Sequence, residues 1–282
     1  MDDQAEFNRT YDARNSVSDF DGLMRHFASA SAALRERIPG PRDVAYGPHR
    51  DEVLDIFPGG GPKAPIHLFI HGGYWRMLTK NECSLYAGAM APAGATVLVN
   101  TYSLAPSVSL DVIVRQCQAA VAWAYRNADS FGGDRDRIFV SGHSAGGHLA
   151  GMMLTTDWAG DYGLPADVLK GVTCVSGLFD LRPVRRAFMN DWLQLDQMEA
   201  ERNSPILHKI HHPCPVVLSW GENDPKAFRT DGATFHDHLA ALGVPVRVVP
   251  MPGHHHFSVA DAMADPATPL AQALIRQMGL GG

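Results

Sequence analysis

The sequence holds no cluster of lysines or arginines, and its 24 basic residues are outnumbered by 30 acidic ones, for a formal net charge of −6. Nucleic acids and anionic membrane surfaces are recognised first by a concentrated positive field, so neither is expected as a partner. No apolar run is long enough to cross a bilayer. The opening MDDQAEFNRT is acidic and polar where a secretory leader would set basic residues before an apolar stretch, which points to the cytoplasm. Cysteine is sparse: Cys83, Cys117, Cys174 and Cys214 stand far apart with no CxxC pair, the pattern of reduced structural thiols. Neither HExxH nor a Cys/His finger spacing occurs, and adjacent histidines such as His254, His255 and His256, or His211 and His212, rarely converge on one ion. No metal or other cofactor is expected.

What remains is the balance of a folded enzyme-sized protein: 282 residues, 45% hydrophobic and 19% charged, free of internal repeats. The length suits one domain with small additions, residues 1–282, and leaves the oligomeric state open, a homodimer included. Phe20, Leu23, Met24, Phe27 and Leu34 mark one face of a helix within an N-terminal segment, 1–40, that ends at Pro39-Gly40-Pro41. Short strands are expected at Val44 to Tyr46 and Val53 to Phe57, then a Gly-rich loop to Pro65. Beyond it, apolar runs at Ile66 to Ile70, Thr96 to Asn100, Ile138 to Ser141, Val172 to Val175, Val216 to Trp220 and Val246 to Val249 alternate with amphipathic stretches. Those stretches include a stripe of Ile113, Cys117, Ala120, Val121 and Ala124, and a helix over Ala233 to Leu242 closed by Gly243. Such alternation predicts an α/β fold: a mostly parallel twisted sheet with helices on both faces. Residues 180–204, with Pro183, Phe188, Met189 and Trp192, read as a small helical cap over the sheet's C-terminal edge, where ligands of open α/β sheets bind.

The strongest local signal is Gly142-His143-Ser144-Ala145-Gly146, a G-x-S-x-G turn preceded by the apolar IFV and followed by the helix-compatible GHLAGMML. Glycines relieve crowding at a sharp strand-to-helix turn, and the turn projects the Ser144 hydroxyl from the sheet edge. A serine needs a base to take its proton, and the base needs a carboxylate to fix its tautomer. In the chain order such a turn implies, the acid and then the histidine follow. Asp224 lies just past the run PVVLSW, with Glu222 and Asp180 as competitors, and position favours Asp224. The histidine lies in His254-His255-His256, past VRVVPMP, where spacing alone does not choose among the three. His143 and His148 are too close to Ser144 along the chain to serve, and read as packing or hydrogen-bonding residues. His71-Gly72-Gly73-Tyr74-Trp75 follows the strand IHLFI, and its glycines can turn amides toward a substrate. The expected oxyanion donors are the N–H groups of Gly72, Gly73 and Ala145, with His71 bracing the loop. Tyr74, Trp75 and Tyr102 are candidate aromatic walls for substrate.

Taken together, HGGYW, YSLAP at Tyr102 to Pro106, GHSAGGH, SGLFDL at Ser176 to Leu181 and GHHHF resemble the arylformamidase (kynurenine formamidase)-like branch of the α/β hydrolases, close to the hormone-sensitive-lipase-type carboxylesterases. The resemblance runs over nearly the whole chain and implies the α/β-hydrolase fold. Its G-x-x-H-F form selects His256 as base, and carries Ser144 over as nucleophile, Asp224 as acid and the HGG glycines as oxyanion donors. It implies hydrolysis of a small acyl amide, N-formylkynurenine to kynurenine and formate, or alternatively of short-chain or aryl esters. A non-catalytic ligand receptor on the same fold would not need nucleophile, base, acid and oxyanion donors together.

Overall fold

The computed structural model describes residues 3–281. Eight strands form one sheet: β1 (Val44–Ala45), β2 (Val53–Phe57), β3 (Ala64–Ile70), β4 (Thr96–Asn100), β5 (Gly133–His143), β6 (Leu169–Val175), β7 (Val216–Gly221) and β8 (Val246–Met251). Their order is β1-β2-β4-β3-β5-β6-β7-β8. The β1–β2 and β2–β4 pairings are antiparallel and every later pairing is parallel. Every residue of β3 and β4 is buried, because a parallel sheet carries helices on both faces. In one layer Leu110–Asn127 packs with Ala145–Leu154 over β3, β5 and β6. In the other, Ala87–Met90, His256–Ala264 and Pro269–Gln277 pack together over β4, β7 and β8.

Several boundaries differ from the sequence pattern, each for a local reason. β3 begins at Ala64 and not Ile66, because Ala64 and Pro65 pair with Gly133 and Asp134 ahead of a register shift, where a proline is tolerated. β5 reaches back to Gly133 through the polar DRDR, whose charges hide the strand. The helix expected from Ala233 starts at Lys226, directly after Pro225, and Gly243 does follow its end, at φ 73°. Between β6 and β7 the chain makes four short helical turns, Pro183–Arg186, Asn190–Leu193, Gln197–Arg202 and Pro205–Leu207.

The helix Phe20–Arg37 opens on Asp19, whose side chain accepts from the Gly22 N–H, and buries Phe27, Ser31 and Leu34. Its far end is tied to the sheet by charge. Asp55 of β2 is fully buried and takes Lys80 Nζ and Arg35 Nη1 at 3.0 Å each, while Lys80 Nζ also lies 2.8 Å from Asp43. A buried carboxylate is tolerated here because three cations meet it, Arg42 Nε being the third at 3.8 Å, and removing it would leave a buried ammonium short of a partner. Asp55→Asn is therefore expected to cost about 3 kcal/mol of unfolding free energy in urea melts. A loss below about 1 kcal/mol would mean that the cluster is not what fixes this helix.

Candidate active site

Ser144 sits between the end of β5 and the helix Ala145–Leu154, at φ 58° and ψ −121°. Side-chain-bearing residues rarely hold such a conformation unless the surroundings impose it. Two glycines make room: a Cβ on Gly142 would stand 2.1 Å from the Gly146 carbonyl oxygen, and one on Gly146 would stand 2.0 Å from the Ile70 carbonyl oxygen. The Ser144 N–H donates to the Val175 carbonyl at 2.8 Å and its carbonyl accepts from His148 N at 3.1 Å, so the turn is pinned on both sides. All ten residues of the following helix are buried, which holds its N-terminus against the sheet edge.

The loop after β3 lies directly against this turn, since a Cβ on Gly72 would meet the His143 carbonyl oxygen at 2.6 Å. Gly73, Tyr74 and Trp75 run at φ 99°, 52° and 57°, an unusual succession that needs bracing. Trp75 and Tyr102 supply it. Trp75 Nε1 donates to His148 Nδ1 at 3.1 Å, and the Ala105 N–H donates to the Trp75 carbonyl at 2.8 Å. The Tyr102 ring stacks on His71 with centroids 4.0 Å apart, and its hydroxyl donates to the His71 carbonyl at 2.8 Å. Both side chains are 1% exposed and neither lines the cavity beside Ser144, so the expectation that they wall the substrate is corrected: they are struts of the loop. The N–H groups of Gly72, Gly73 and Ala145 donate to no protein acceptor among the described residues, Ala145 because it opens a helix.

Asp224 and His256 meet behind the serine. His256 Nδ1 lies 3.0 Å from Asp224 Oδ1, and Asp224 Oδ2 accepts from Ser176 Oγ at 2.6 Å and from the Gly221 N–H at 3.0 Å. Burial alone would raise the Asp224 carboxyl, but the His256 charge and hydrogen bond, with the Ser176 hydroxyl, bring it below the ordinary carboxylate range. Ser176 opens the SGLFDL stretch at the end of β6, a signal that assigns it no role, and it adopts φ 47° there. The competing carboxylates are engaged elsewhere: Glu222 accepts from the Gly253 N–H at 2.8 Å, and Asp180 binds Arg182 at 2.7 Å.

Each neighbouring histidine has a separate task. His255 Nδ1 accepts from the N–H groups of Phe257 and Ser258, capping the helix His256–Ala264, and His254 Nδ1 lies 3.1 Å from the Ser258 carbonyl. Of the three consecutive histidines, His256 is the one whose ring meets the carboxylate. His143 Nε2–H donates to the His256 carbonyl at 2.8 Å, and His148 Nε2–H donates to the Asn203 carbonyl at 2.7 Å. Burial pushes His143 down to about 3, helped by His256, and His71 and His148 down to about 4, so all three are neutral struts near pH 7.

Ser144 and His256 line one cavity together with Gly72, Gly73 and Tyr74. No hydrogen bond joins Ser144 to His256 among the described residues; such contacts often tighten only around substrate. The cavity roof is the helix Phe20–Arg37, through Phe20, Met24 and Phe27, and the Phe20 ring lies 5.4 Å from that of Phe257. The excursion between β6 and β7, expected to wall the pocket, contributes no residue to this cavity. Its Phe188 and Trp192 line the adjoining outer pocket instead, and flank Tyr74 at 5.8 and 6.3 Å between ring centroids.

The fold and this arrangement agree with known proteins. A sequence profile described as alpha/beta hydrolase fold matches residues 67–259. A kynurenine formamidase of Danio rerio is 31% identical over 270 residues, 92% of this chain and 90% of the relative. Esterase LipQ of Mycobacterium tuberculosis is 26% identical over 251 residues, covering 78% of this chain and 59% of its own length. Among solved structures, a Silicibacter sp. tm1040 protein superposes with TM-score 0.83 at 26% identity, covering 95% of this chain and 98% of the other. With an eight-stranded sheet of this order, a profile match over more than half its length and a relative aligned nearly end to end, the chain is a hydrolase of the α/β-hydrolase fold family.

Proposed function

We propose that the protein is an arylformamidase-like serine hydrolase in which Ser144 is the nucleophile, His256 the general base and acid, and Asp224 the group that orients His256. The observation that carries this reading is a strained serine and a carboxylate-paired histidine lining one mainly apolar cavity. Asp224 accepts the Nδ1–H of His256, leaving Nε2 unprotonated to take the serine proton. Ser144 Oγ attacks the acyl carbonyl as His256 Nε2 takes its proton, and the resulting oxyanion accepts hydrogen bonds from Gly72, Gly73 and Ala145. The imidazolium then protonates the departing amine or alcohol as the carbon–heteroatom bond breaks, leaving an ester on Ser144. Water, deprotonated by His256, attacks that ester; the acid leaves and the serine regains its proton.

The formamide reading of the substrate is supported by the likeness to kynurenine formamidases, and by an aromatic roof and floor, Phe20, Phe27 and Phe69, against which an aryl group can pack. A carboxylesterase acting on short-chain or aryl esters would use the same residues, and the likeness to esterases favours keeping it as the second reading. Four buried, unbridged cysteines suit a reducing compartment, and we assign the enzyme to the cytoplasm. Residues 1–282 are taken as one catalytic unit, roofed by its N-terminal segment.

Ser144→Ala is expected to lower formate release from N-formylkynurenine by at least about a thousandfold; an unchanged rate would remove the serine from the chemistry. Comparing kcat/KM for N-formylkynurenine and p-nitrophenyl acetate separates formamidase from esterase, because specificity is the ratio of those constants. Ser176→Ala deletes one donor to Asp224 and should lower kcat about tenfold with little change in KM. An unaltered kcat would show that Asp224 is held well enough without it.

A further inference from the structure

Outside the catalytic cavity lies a second one, adjoining the first across their common lining residues Phe20, Gly73, Tyr74 and Met77. The two differ in chemistry. No Lys, Arg, Asp or Glu side chain lines the inner cavity, so a charged substituent placed there would lose its hydration without an opposite charge to replace it. The outer cavity is lined by Arg14, Arg76 and Asp12 beside Phe188 and Trp192.

Both guanidiniums lie over aromatic rings. Arg14 Cζ is 4.7 Å from the Phe20 ring centroid, and Arg76 Cζ is 4.7 Å from that of Trp192. Stacking occupies the face of a guanidinium and leaves its in-plane N–H edge for an acceptor, the geometry that suits a carboxylate. The platform beneath is fixed: Trp192 Nε1 donates to the Tyr74 carbonyl at 3.0 Å, and the Tyr74 hydroxyl donates to the Tyr11 carbonyl at 2.9 Å while accepting from Ala13 N at 2.8 Å. The lining keeps a net positive charge, with two guanidiniums standing against the one carboxylate of Asp12. Both Asp12 oxygens accept from Asn15, at 3.0 and 2.7 Å, and Asp21 lies 3.7 Å from Arg14 with both side chains mostly exposed, a weak pairing. Arg76 pairs with no carboxylate among the described residues.

We propose that the outer cavity is a carboxylate subsite, and that the enzyme's substrates place an aryl or apolar part against Phe20 in the inner cavity and a carboxylate at the mouth on Arg14 and Arg76. This rests on the hydrolase reading of the Ser144 site and specifies the substrate class it takes. Arg14 and Arg76 are specificity-determining residues, remote from the bond that breaks.

The test uses the acetate ester of a phenol bearing a propanoate side chain and its matched primary amide, which differ in one charge. The intact enzyme should favour the carboxylate ester about tenfold in kcat/KM at low ionic strength, and the preference should shrink toward unity in 0.5 M salt, about where charges at an open mouth are screened. In the double variant Arg14→Gln, Arg76→Gln the ratio should fall at least about fivefold, while Arg76→Lys should retain part of it. Equal kcat/KM for the two esters in the intact enzyme, or an unaltered ratio in the double variant, overturns the subsite while leaving the hydrolase reading in place. Cleavage of neither ester, with Ser144 unlabelled by a fluorophosphonate, overturns both.

Discussion

The backbone at Ser144 is the constraint from which the rest of the site follows. At φ 58° and ψ −121° it lies where a side-chain-bearing residue costs about 1–3 kcal/mol, and the cost is met by burial of the entire helix behind it and by the hydrogen bond to Val175. The turn tolerates no side chain at Gly142 or Gly146, which are flush against neighbouring backbone. That tight fit sets the serine at the C-terminal edge of the central strands, the edge to which β3, β6, β7 and β8 deliver the glycine loop, Ser176, Asp224 and His256. A parallel sheet delivers all these loops to one edge because its strands run one way.

Around that fixed point the protein uses neutral imidazoles as struts and a single buried pair as the charged element. His71, His143 and His148 are held in low dielectric, where burial keeps them uncharged and each ring nitrogen that bonds takes one partner. His256 differs in having a carboxylate within 3.0 Å, both side chains almost wholly buried; the other His–Asp contacts among the described residues, such as His26 with Asp261 and His236 with Asp237, stand at the surface. Position and desolvation, more than residue type, therefore separate the proposed base from its neighbours. The roof follows the same economy: an amphipathic helix, tied to the sheet by the Asp55 cluster, covers the cavity with phenyl and thioether groups.

Much of this was legible in the sequence because the signals are local. Strand periodicity located all eight strands to within a few residues at most ends, and the serine turn, the glycine loop and the acid and histidine loops each follow an apolar run. What was hidden depends on where elements lie relative to one another. Phe20, Met24 and Phe27 spelled out a helix, but nothing in their spacing said that it would lie over Ser144 while the excursion between β6 and β7 lined only the adjoining outer pocket. Trp75 and Tyr102 looked like a substrate wall because they adjoin glycine-rich loops; their buried hydrogen bonds to His148 and to the His71 carbonyl turned them inward instead. Ser176 and the helix-capping His255 lie within SGLFDL and GHHHF, but neither stretch names their partners, which lie on another loop or in the backbone.

The central claim is that a strained serine, a carboxylate-paired histidine and outward-facing glycine amides form one working unit. A crystal structure of the protein after treatment with a fluorophosphonate tests it most directly. The phosphorus should be bonded to Ser144 Oγ, with its unesterified oxygen about 2.7–3.1 Å from the N–H groups of Gly73 and Ala145 and His256 beside the adduct. An adduct on another residue, or one whose oxygen points away from those amides, would contradict it.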